Sequence, residues 1–226
     1  MNATTNTTSE ETAIEDQWCH RHLNPDGSIG GWVSDTAHVA LTAYIGARAM
    51  VLDHAKIYDS ARVSGYAQVF DGAEVYGNAK IYDSAQVYGN ARVCDNAKVC
   101  DNAKVYDAWV YGNAEVSDDA QVYKNTEFYK GAQVYKNAQV YGNAKVSGYA
   151  KVFDGAMVYG NAKVCDNAEV FENAQVSGNA RVFETAHVYG SIKLHGNAKV
   201  CGASGLGYIT DDDIEVPPPG SSRYSC

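Results

Sequence analysis

Three side chains near the start of the chain could bind a metal ion. Cys19, His20 and His22 lie within four residues of one another, and thiolate and imidazole are ligands that zinc prefers in proteins. A second cysteine pair, which would complete a structural zinc site, is missing. The same segment contains a strong turn signal, Asn24-Pro25-Asp26-Gly27. We therefore favour a capping role for residues 17–30 and predict no metal site and no cofactor.

Charged residues offer two further candidates. Lys124, Lys130 and Lys136 recur every six residues and form a basic belt, which is either a candidate anion contact or a solvated surface. The acidic run of residues 211–213 lacks EF-hand spacing, so we interpret it as part of a solvated tail. The formal net charge is −9 and the basic residues are scattered. This charge distribution argues against a nucleic-acid partner, because phosphate binding needs clustered basic residues.

Most of the chain repeats one six-residue phrase, of which residues 85–90 (Ala-Gln-Val-Tyr-Gly-Asn) are an example. Residues 31–203 can be written as 28 hexads and one pentad, Ala103 to Asp107. Position one is Ala in 26 of these 29 units, and position three is Val or Ile in all but two. Apolar residues on either side of a polar second position predict a very short strand. Gly, Asp, Asn and Ser at positions five and six predict a corner with positive φ.

A short strand followed by a corner, repeated without long connections, predicts a coil in which each strand stacks on the strand one turn earlier. Three sides of six residues give about 18 residues per coil, a triangular cross-section and nine to ten coils. At the pentad we expect a tightened corner, because the loss of an inward residue would invert the in–out pattern. The fold class is therefore all-β, a single-stranded parallel β-helix over residues 31–203. We expect a flexible N-terminal arm (1–16), a cap (17–30), and a C-terminal cap with a mobile tail (204–226).

The repeated phrase resembles that of the hexapeptide-repeat family of left-handed parallel β-helices, in which a small residue follows an aliphatic one four places later. Val87 and Ala91 follow this pattern, as do Val140 and Ala144, and the resemblance covers about three quarters of the chain. It implies a left-handed coil. Its regularity and its Tyr and Gly-Asn corners are most similar to the non-catalytic hexapeptide proteins of bacteria and their phages.

Many members of this family are acyltransferases that use acyl-CoA or acyl carrier protein, act as homotrimers and carry a catalytic histidine as general base. The resemblance therefore implies His187 and His195 as candidates for that role. Both occupy ordinary repeat positions, and no long loop interrupts the coils to build a pocket. An acyl-CoA-dependent O- or N-acyltransferase is for this reason the alternative interpretation, and a non-catalytic module is the favoured one.

One side of the predicted prism is aromatic and nearly uncharged. Its edge carries residues that recur once per coil: Phe70, Tyr88, Tyr106, Tyr123, Tyr141 and Tyr159. Its outward row contains Gln68, Gln86, Lys104, Gln121, Gln139, Met157 and Gln175. Such ladders stabilise a parallel coil, and a flat side of low charge is also typical of an interaction face. We predict that the tyrosines from Tyr88 to Tyr159, with Gln86, Gln121 and Gln139, form such a face.

Together these patterns predict a non-catalytic structural or binding module that forms a homo-oligomer, a dimer or trimer, or binds a protein or small ligand. The first 16 residues contain no basic region and no apolar run, so no signal peptide is predicted. No apolar run is long enough to span a membrane. We therefore expect a cytoplasmic protein without a membrane partner. In that compartment the six cysteines are expected to be free thiols.

Overall fold

The computed structural model describes residues 18–202, which contain thirty β-strands and no helix. The predicted arm (1–16) and the predicted C-terminal cap and tail (204–226) lie outside the described residues. The described residues form no helix, and so include no helix that is long and apolar enough to cross a membrane.

The strands are two to six residues long and follow one another at intervals of about six residues. The first ten are β1 (Cys19–Leu23), β2 (Ile29–Ser34), β3 (His38–Val39), β4 (Tyr44–Ile45), β5 (Met50–Val51), β6 (Lys56–Ile57), β7 (Arg62–Val63), β8 (Gln68–Val69), β9 (Glu74–Val75) and β10 (Lys80–Ile81). The next ten are β11 (Gln86–Tyr88), β12 (Arg92–Val93), β13 (Lys98–Val99), β14 (Lys104–Tyr106), β15 (Trp109–Val110), β16 (Glu115–Val116), β17 (Gln121–Tyr123), β18 (Glu127–Phe128), β19 (Gln133–Val134) and β20 (Gln139–Tyr141). The last ten are β21 (Lys145–Val146), β22 (Lys151–Val152), β23 (Met157–Val158), β24 (Lys163–Val164), β25 (Glu169–Val170), β26 (Gln175–Val176), β27 (Arg181–Val182), β28 (His187–Val188), β29 (Lys193–Leu194) and β30 (Lys199–Val200).

Every third strand joins the same sheet, so the chain winds around three parallel sheets. Sheet A contains β1, β2 and every third strand from β5 to β29, sheet B runs from β3 to β30, and sheet C from β4 to β28. Within sheet A, β11 pairs in parallel with β8 and β14, which places Gln86 beside Gln68 and Lys104. The predicted fold class is confirmed: the molecule is an all-β parallel solenoid of about 9 turns with about 18 residues per coil.

The interior is filled by the first and third residues of each repeat, as the sequence predicts. Alanines such as Ala85 and Ala91 and valines such as Val87 and Val93 are fully buried. Because the first position is almost always alanine, the three sheets pack closely around a narrow core. The largest fully buried side chain is Phe128 of sheet B, and it shares its repeat with the buried Thr126.

The corners owe their geometry to the fifth position of the repeat. This residue has positive φ in almost every coil and is usually Gly or Asp, as at Asp59 (55°) and Gly77 (70°). The aspartates also join consecutive coils, because the carboxylate accepts a hydrogen bond from the backbone N–H one coil later. Asp59 Oδ2 lies 3.0 Å from Gly77 N, and Asp95 Oδ2 lies 2.9 Å from Gly112 N. This second role explains the preference for Asp where Asn would also tolerate the backbone conformation.

The pentad closes into a tightened corner, so that prediction is confirmed. Val105 and Ala108, on either side of the missing residue, remain fully buried. Asp107 has φ of 50° and accepts a hydrogen bond from Asn90 N through Oδ1 at 2.7 Å. Its backbone O accepts another from Asn125 N at 2.7 Å. The corner therefore keeps its connections to both neighbouring coils.

At the N-terminal end, β1 pairs antiparallel with β2 and the connecting turn lies over the first coil. Asn24 pairs with the backbone of Ile45, donating from Nδ2 to O at 3.1 Å and accepting from N at 2.8 Å. His22 Nε2 donates to Ala43 O at 3.3 Å. These side chains satisfy backbone groups of Ala43 and of Ile45 in β4, which is the first strand of sheet C.

The cysteine prediction is wrong at one residue. Cys19, Cys94, Cys100 and Cys201 are free thiols, whereas Cys165 is disulfide-bonded. The prediction of free thiols rested on the cytoplasmic compartment expected from the sequence, where disulfides are rare.

Candidate interaction face

The predicted interaction residues lie together on one side of the solenoid. Gln86, Gln121 and Gln139 point outward from β11, β17 and β20 of sheet A. The tyrosines occupy the fourth position of the same repeats, at the corner that follows each strand of this sheet. We call this corner the A corner, and the outward row of sheet A together with its A-corner rings the A face. The corners after sheets B and C are the B and C corners.

The rings of the A corner form two stacks of three. Centroid distances are 4.9 Å from Phe70 to Tyr88 and from Tyr88 to Tyr106, then 5.1 Å from Tyr123 to Tyr141 and 5.0 Å from Tyr141 to Tyr159. Within the described residues no ring contact joins Tyr106 to Tyr123. The interruption coincides with the pentad, where Lys124 N donates to Tyr106 O at 3.0 Å. The predicted column is therefore present but broken at its centre.

Stacking determines what these rings can offer to a ligand. The rings are nearly parallel: the interplanar angle is 2° between Tyr123 and Tyr141 and 5° between Tyr141 and Tyr159. Each ring inside a stack covers the faces of its neighbours and presents its edge and hydroxyl group to solvent. Burial raises the pKa of Tyr141. A planar ligand therefore finds edges, whereas aromatic recognition of bases or sugars uses exposed ring faces.

Amide ladders run beside the rings. Gln86 Nε2 donates to Gln68 Oε1 at 3.4 Å on the outward row. At the sixth position, Asn143 Nδ2 donates to Asn161 Oδ1 at 3.2 Å, and Asn161 Nδ2 donates to Asn179 Oδ1 at 3.2 Å. Both pairings join side chains one coil apart and involve uncharged amides. The A face thus combines aromatic edges and amides at the spacing of parallel strands, about 4.8 Å.

The other two sides are held by ion pairs. On sheet B, Glu74 lies 3.1 Å from Lys56 and 3.3 Å from Arg92, and Lys145 lies 2.9 Å from Glu127. Sheet C has an equivalent pair, Lys151 with Glu169 at 3.0 Å. In contrast, the charged residues that point outward from the described strands of sheet A are Arg21 of β1, which lies over Trp32, and Lys104 and Lys193. Of the three described sides, the A face is the one with least charge.

A second aromatic column, which was not among the residues predicted from the sequence, lies on the C corner. It contains Tyr135, Phe153, Phe171 and Tyr189, with centroid distances of 4.9, 4.9 and 5.2 Å. The signal was present in the sequence, since these residues recur at 18-residue intervals. It was masked by the charged residues, such as Lys151 and Glu169, in the outward row of the same side.

The B and C corners also carry pairs of tyrosine and cysteine. A hydrogen bond with Cys94 and burial raise the pKa of Tyr76 to about 12. On the C corner, burial raises the pKa of the Cys100 thiol to about 11, beside Tyr82. Burial also raises the pKa of Cys94, so both thiols are protonated at neutral pH.

The basic belt does not converge on one point. Lys124, Lys130 and Lys136 occupy the A, B and C corners of the same coil, all with positive φ of 58°, 64° and 56°. Lys136 Nζ forms an ion pair with Asp154 Oδ1 at 2.6 Å. One small anion cannot contact all three ammonium groups, since they lie at different corners of the prism. An anion contact at any one of them stays a prediction.

The two candidate catalytic histidines lie on different sides. His187 points outward from β28 of sheet C, with Nε2 3.9 Å from Glu169 Oε2, which is longer than a hydrogen bond. His195 is exposed at the A corner that follows β29. The two therefore do not form one site. The acyltransferase alternative stays a prediction, and thiol release from acetyl-CoA, compared with His187→Ala and His195→Ala, tests it.

The histidines of the N-terminal segment have other partners. His20 Nδ1 lies 2.9 Å from Asp35 Oδ1, and His22 contacts the backbone of Ala43. Between residues 18 and 202, no group of three or more His, Cys, Asp or Glu side chains is arranged to hold a metal ion.

Comparison with known proteins agrees with the repeat geometry. A family model described as the YdcK beta solenoid repeat matches residues 85–100 and 174–190. Each match spans three successive strands, one from each sheet, and so covers close to one coil. The chain is a β-solenoid repeat protein. None of the curated proteins compared with the chain matches it. Membership of the hexapeptide-repeat family remains a prediction from the sequence.

Proposed function

We propose that this solenoid is a non-catalytic structural module that binds a second copy of itself through the A face. The observation that carries the proposal is the contrast between the sides. The A face has six stacked rings, amide ladders and few charges, whereas sheets B and C carry ladders of ion pairs. Contact surfaces between proteins are depleted of charge at their centre and enriched in tyrosine.

The period of the face favours a second copy as the partner. Ring edges and amides recur every coil, at about 4.8 Å. Another copy of the solenoid has the same period, so each of its ladders can interdigitate with these along the whole length, as identical ladders do in paired β-sheets. A globular protein or small ligand matches such a surface over only a few repeats. A dimer or trimer built on this face is therefore the expected assembly.

The remaining candidate partners fit less well. The ring faces are covered by one another, which disfavours stacking of a planar ligand. With a formal net charge of −9, the chain repels a polyanion, and its lysines are distributed over all three sides. These features support a protein partner over nucleic acid.

The proposal is tested by the mass of the particle in solution. Light scattering on the wild type should give a dimer or trimer at tens of micromolar, and Tyr123→Lys/Tyr141→Lys should give a monomer because two charges are placed in the contact. The matched control is Tyr111→Lys/Tyr129→Lys, which removes a similar ring stack from the B corner. The two rings of that stack have a centroid distance of 5.3 Å and an interplanar angle of 11°. A wild-type monomer, or equal loss of assembly in both double variants, would contradict the proposal.

A further inference from the structure

Four basic side chains lie in one row on the C-terminal half of sheet B. They point outward from β21, β24, β27 and β30, and we call them the basic ladder: Lys145, Lys163, Arg181 and Lys199. Each lies opposite the next in the parallel register, one strand spacing of about 4.8 Å away. Like charges directly opposite one another on a sheet are destabilising. An anionic partner would relieve this repulsion.

The N-terminal half of the same row alternates in sign instead. Glu74 forms ion pairs with the basic residues on either side of it, one coil before and one coil after. Farther along the row, Glu127 pairs with Lys145, the first residue of the basic ladder. The other three residues of the ladder have no ion-pair partner within residues 18–202. Three consecutive cations are therefore left without a carboxylate from this part of the chain.

The corners on either side do not neutralise the ladder. On the A corner beside it, the fifth position is glycine and the sixth is asparagine in each of these coils, so this flank is uncharged. The B corner carries Asp166 and Glu184, and neither forms an ion pair with the ladder. Asp166 Oδ2 accepts a hydrogen bond from Glu184 N at 3.1 Å. Lys193, in the last strand of sheet A, adds another cation at this end of the rod.

A shorter basic run on sheet C has different surroundings. Arg62, Lys80 and Lys98 lie in register there, and Glu115 follows them in the same row. Arg62 also lies over the ring of Tyr44, 4.4 Å from its centroid. Aspartates occupy the fifth position of both flanking corners, namely Asp59 and Asp95 on the B corner and Asp83 and Asp101 on the C corner. The run on sheet C thus has carboxylates on both flanks and in its own row, whereas the basic ladder has them on one flank only.

We infer that the basic ladder binds the acidic segment 211–215 of the same chain. The sequence of this segment is Asp-Asp-Asp-Ile-Glu. Alternate side chains of an extended chain point to the same side, so Asp211, Asp213 and Glu215 can face three cations together. At about 3.3 Å per residue these carboxylates span about 13 Å, compared with about 10 Å for the three unpaired cations. The long, flexible stems of lysine and arginine cover the difference.

The acidic segment is close enough in sequence to reach the ladder. The described residues end at Gly202, in the B corner directly after β30 and three residues beyond Lys199. Residues 203–210 can span about 26 Å at about 3.3 Å each, whereas Lys163 lies only about 10 Å from Lys199 along the rod. So short a connection gives the segment a high effective concentration at the ladder. The contact lies on sheet B, so it leaves the A face free and does not depend on self-association.

Protection of the acidic segment from proteolysis tests this contact. The full chain is treated at low salt with an endoproteinase that cleaves before aspartate, and mass spectrometry follows cleavage within residues 211–213. Cleavage should be about fivefold faster in Lys163→Gln/Arg181→Gln/Lys199→Gln than in the wild type, because three surface ion pairs are lost. The variant keeps its fold, since the substitutions remove like charges that lie opposite one another.

The matched control is the triple variant Arg62→Gln/Lys80→Gln/Lys98→Gln. It removes the same charge from the basic run on sheet C and should be cleaved at the wild-type rate. Equal cleavage rates in all three proteins, or equal acceleration in both variants, would overturn the inference. The matched control separates loss of a specific contact from a general effect of net charge on the protease.

A zero-length carbodiimide cross-linker shows where the segment binds. In the wild type, mass spectrometry should find residues 211–215 joined to Lys163 or Lys199. An equimolar mixture of unlabelled and isotope-labelled protein shows whether the two residues belong to one chain. Cross-links found only between labelled and unlabelled chains, or formed in equal yield with Lys80 and Lys98, would overturn binding of the segment to the ladder of its own chain.

Discussion

Sheets A and B share one backbone geometry but differ both inside and outside. Both place a small residue and a branched aliphatic residue inward in nearly every repeat. Outward, sheet A carries amides and uncharged rings, whereas sheet B carries ion pairs around Glu74 and Glu127. Inward, the central coil of sheet A keeps Ala120 and Val122, whereas sheet B has Thr126 and Phe128. The inward positions therefore determine the fold, and the outward positions determine what each side can contact.

The largest expected effect comes from the enlarged interior of sheet B. Phe128→Ala should lower the free energy of unfolding by about 3–5 kcal/mol, because it removes the largest buried side chain and leaves a cavity. The equivalent change in sheet A, Val122→Ala, should lower the free energy of unfolding by only about 1.5–3 kcal/mol. Urea denaturation of both variants measures the difference. Equal losses would show that the two interiors are packed alike.

The buried threonine of the same repeat should give a change of opposite sign. Thr126 Oγ1 is buried and has no hydrogen-bond partner among the described residues. Thr126→Val keeps the shape and removes the unsatisfied hydroxyl group, so it should stabilise the fold by about 1–3 kcal/mol. Thermal or urea unfolding checks this, with Thr126→Ser as the control that keeps the hydroxyl and loses the methyl group. A less stable valine variant would indicate that the hydroxyl is hydrogen-bonded in solution.

The interior and the corner pattern could be predicted from the sequence because each has a simple physical signature. Burial is indicated by Ala at position one and Val at position three. Positive φ is indicated by Gly or Asp at position five. The break between Tyr106 and Tyr123 could not be predicted, because it depends on how Lys124 and Asn125 bond to the preceding coil. The sequence likewise could not predict that the rings of the A face present their edges to solvent, because repeat spacing identifies neighbouring rings but not their orientation. The column on the C corner was predictable but hidden by its charged outward row.

The buried thiol on the C corner should make the stability of the fold depend on pH in the alkaline range. Cys100 on the C corner has its pKa raised from its ordinary value of 9.0 to about 11. The folded state therefore holds this proton more tightly than the unfolded state. The stability that the protonated Cys100 thiol contributes is fully present below about pH 9 and is lost as the pH rises through about 11.

The check is the urea midpoint measured between pH 8 and 11 for the wild type and Cys100→Ala. The alanine variant should lose less stability across this range, because one of the groups linked to pH is gone. Cys201→Ala, which removes an exposed thiol, is the control and should follow the wild type. Parallel curves for the wild type and Cys100→Ala would contradict the predicted linkage.

The smallest expected effect concerns corners that carry lysine in place of the usual aspartate or glycine. Lys130 has φ of 64° and no carboxylate to offer to the next coil. In Lys130→Asp the new carboxylate can accept a hydrogen bond from Gly148 N, as Asp59 does from Gly77 N at 3.0 Å. We expect a gain of about 0.5–1.5 kcal/mol in unfolding free energy. Lys124→Asp on the A corner should give a similar gain, with Gly142 N as donor. Urea denaturation of the two variants and the wild type measures both gains. A loss of stability in either variant would show that the lysine side chain itself supports its corner.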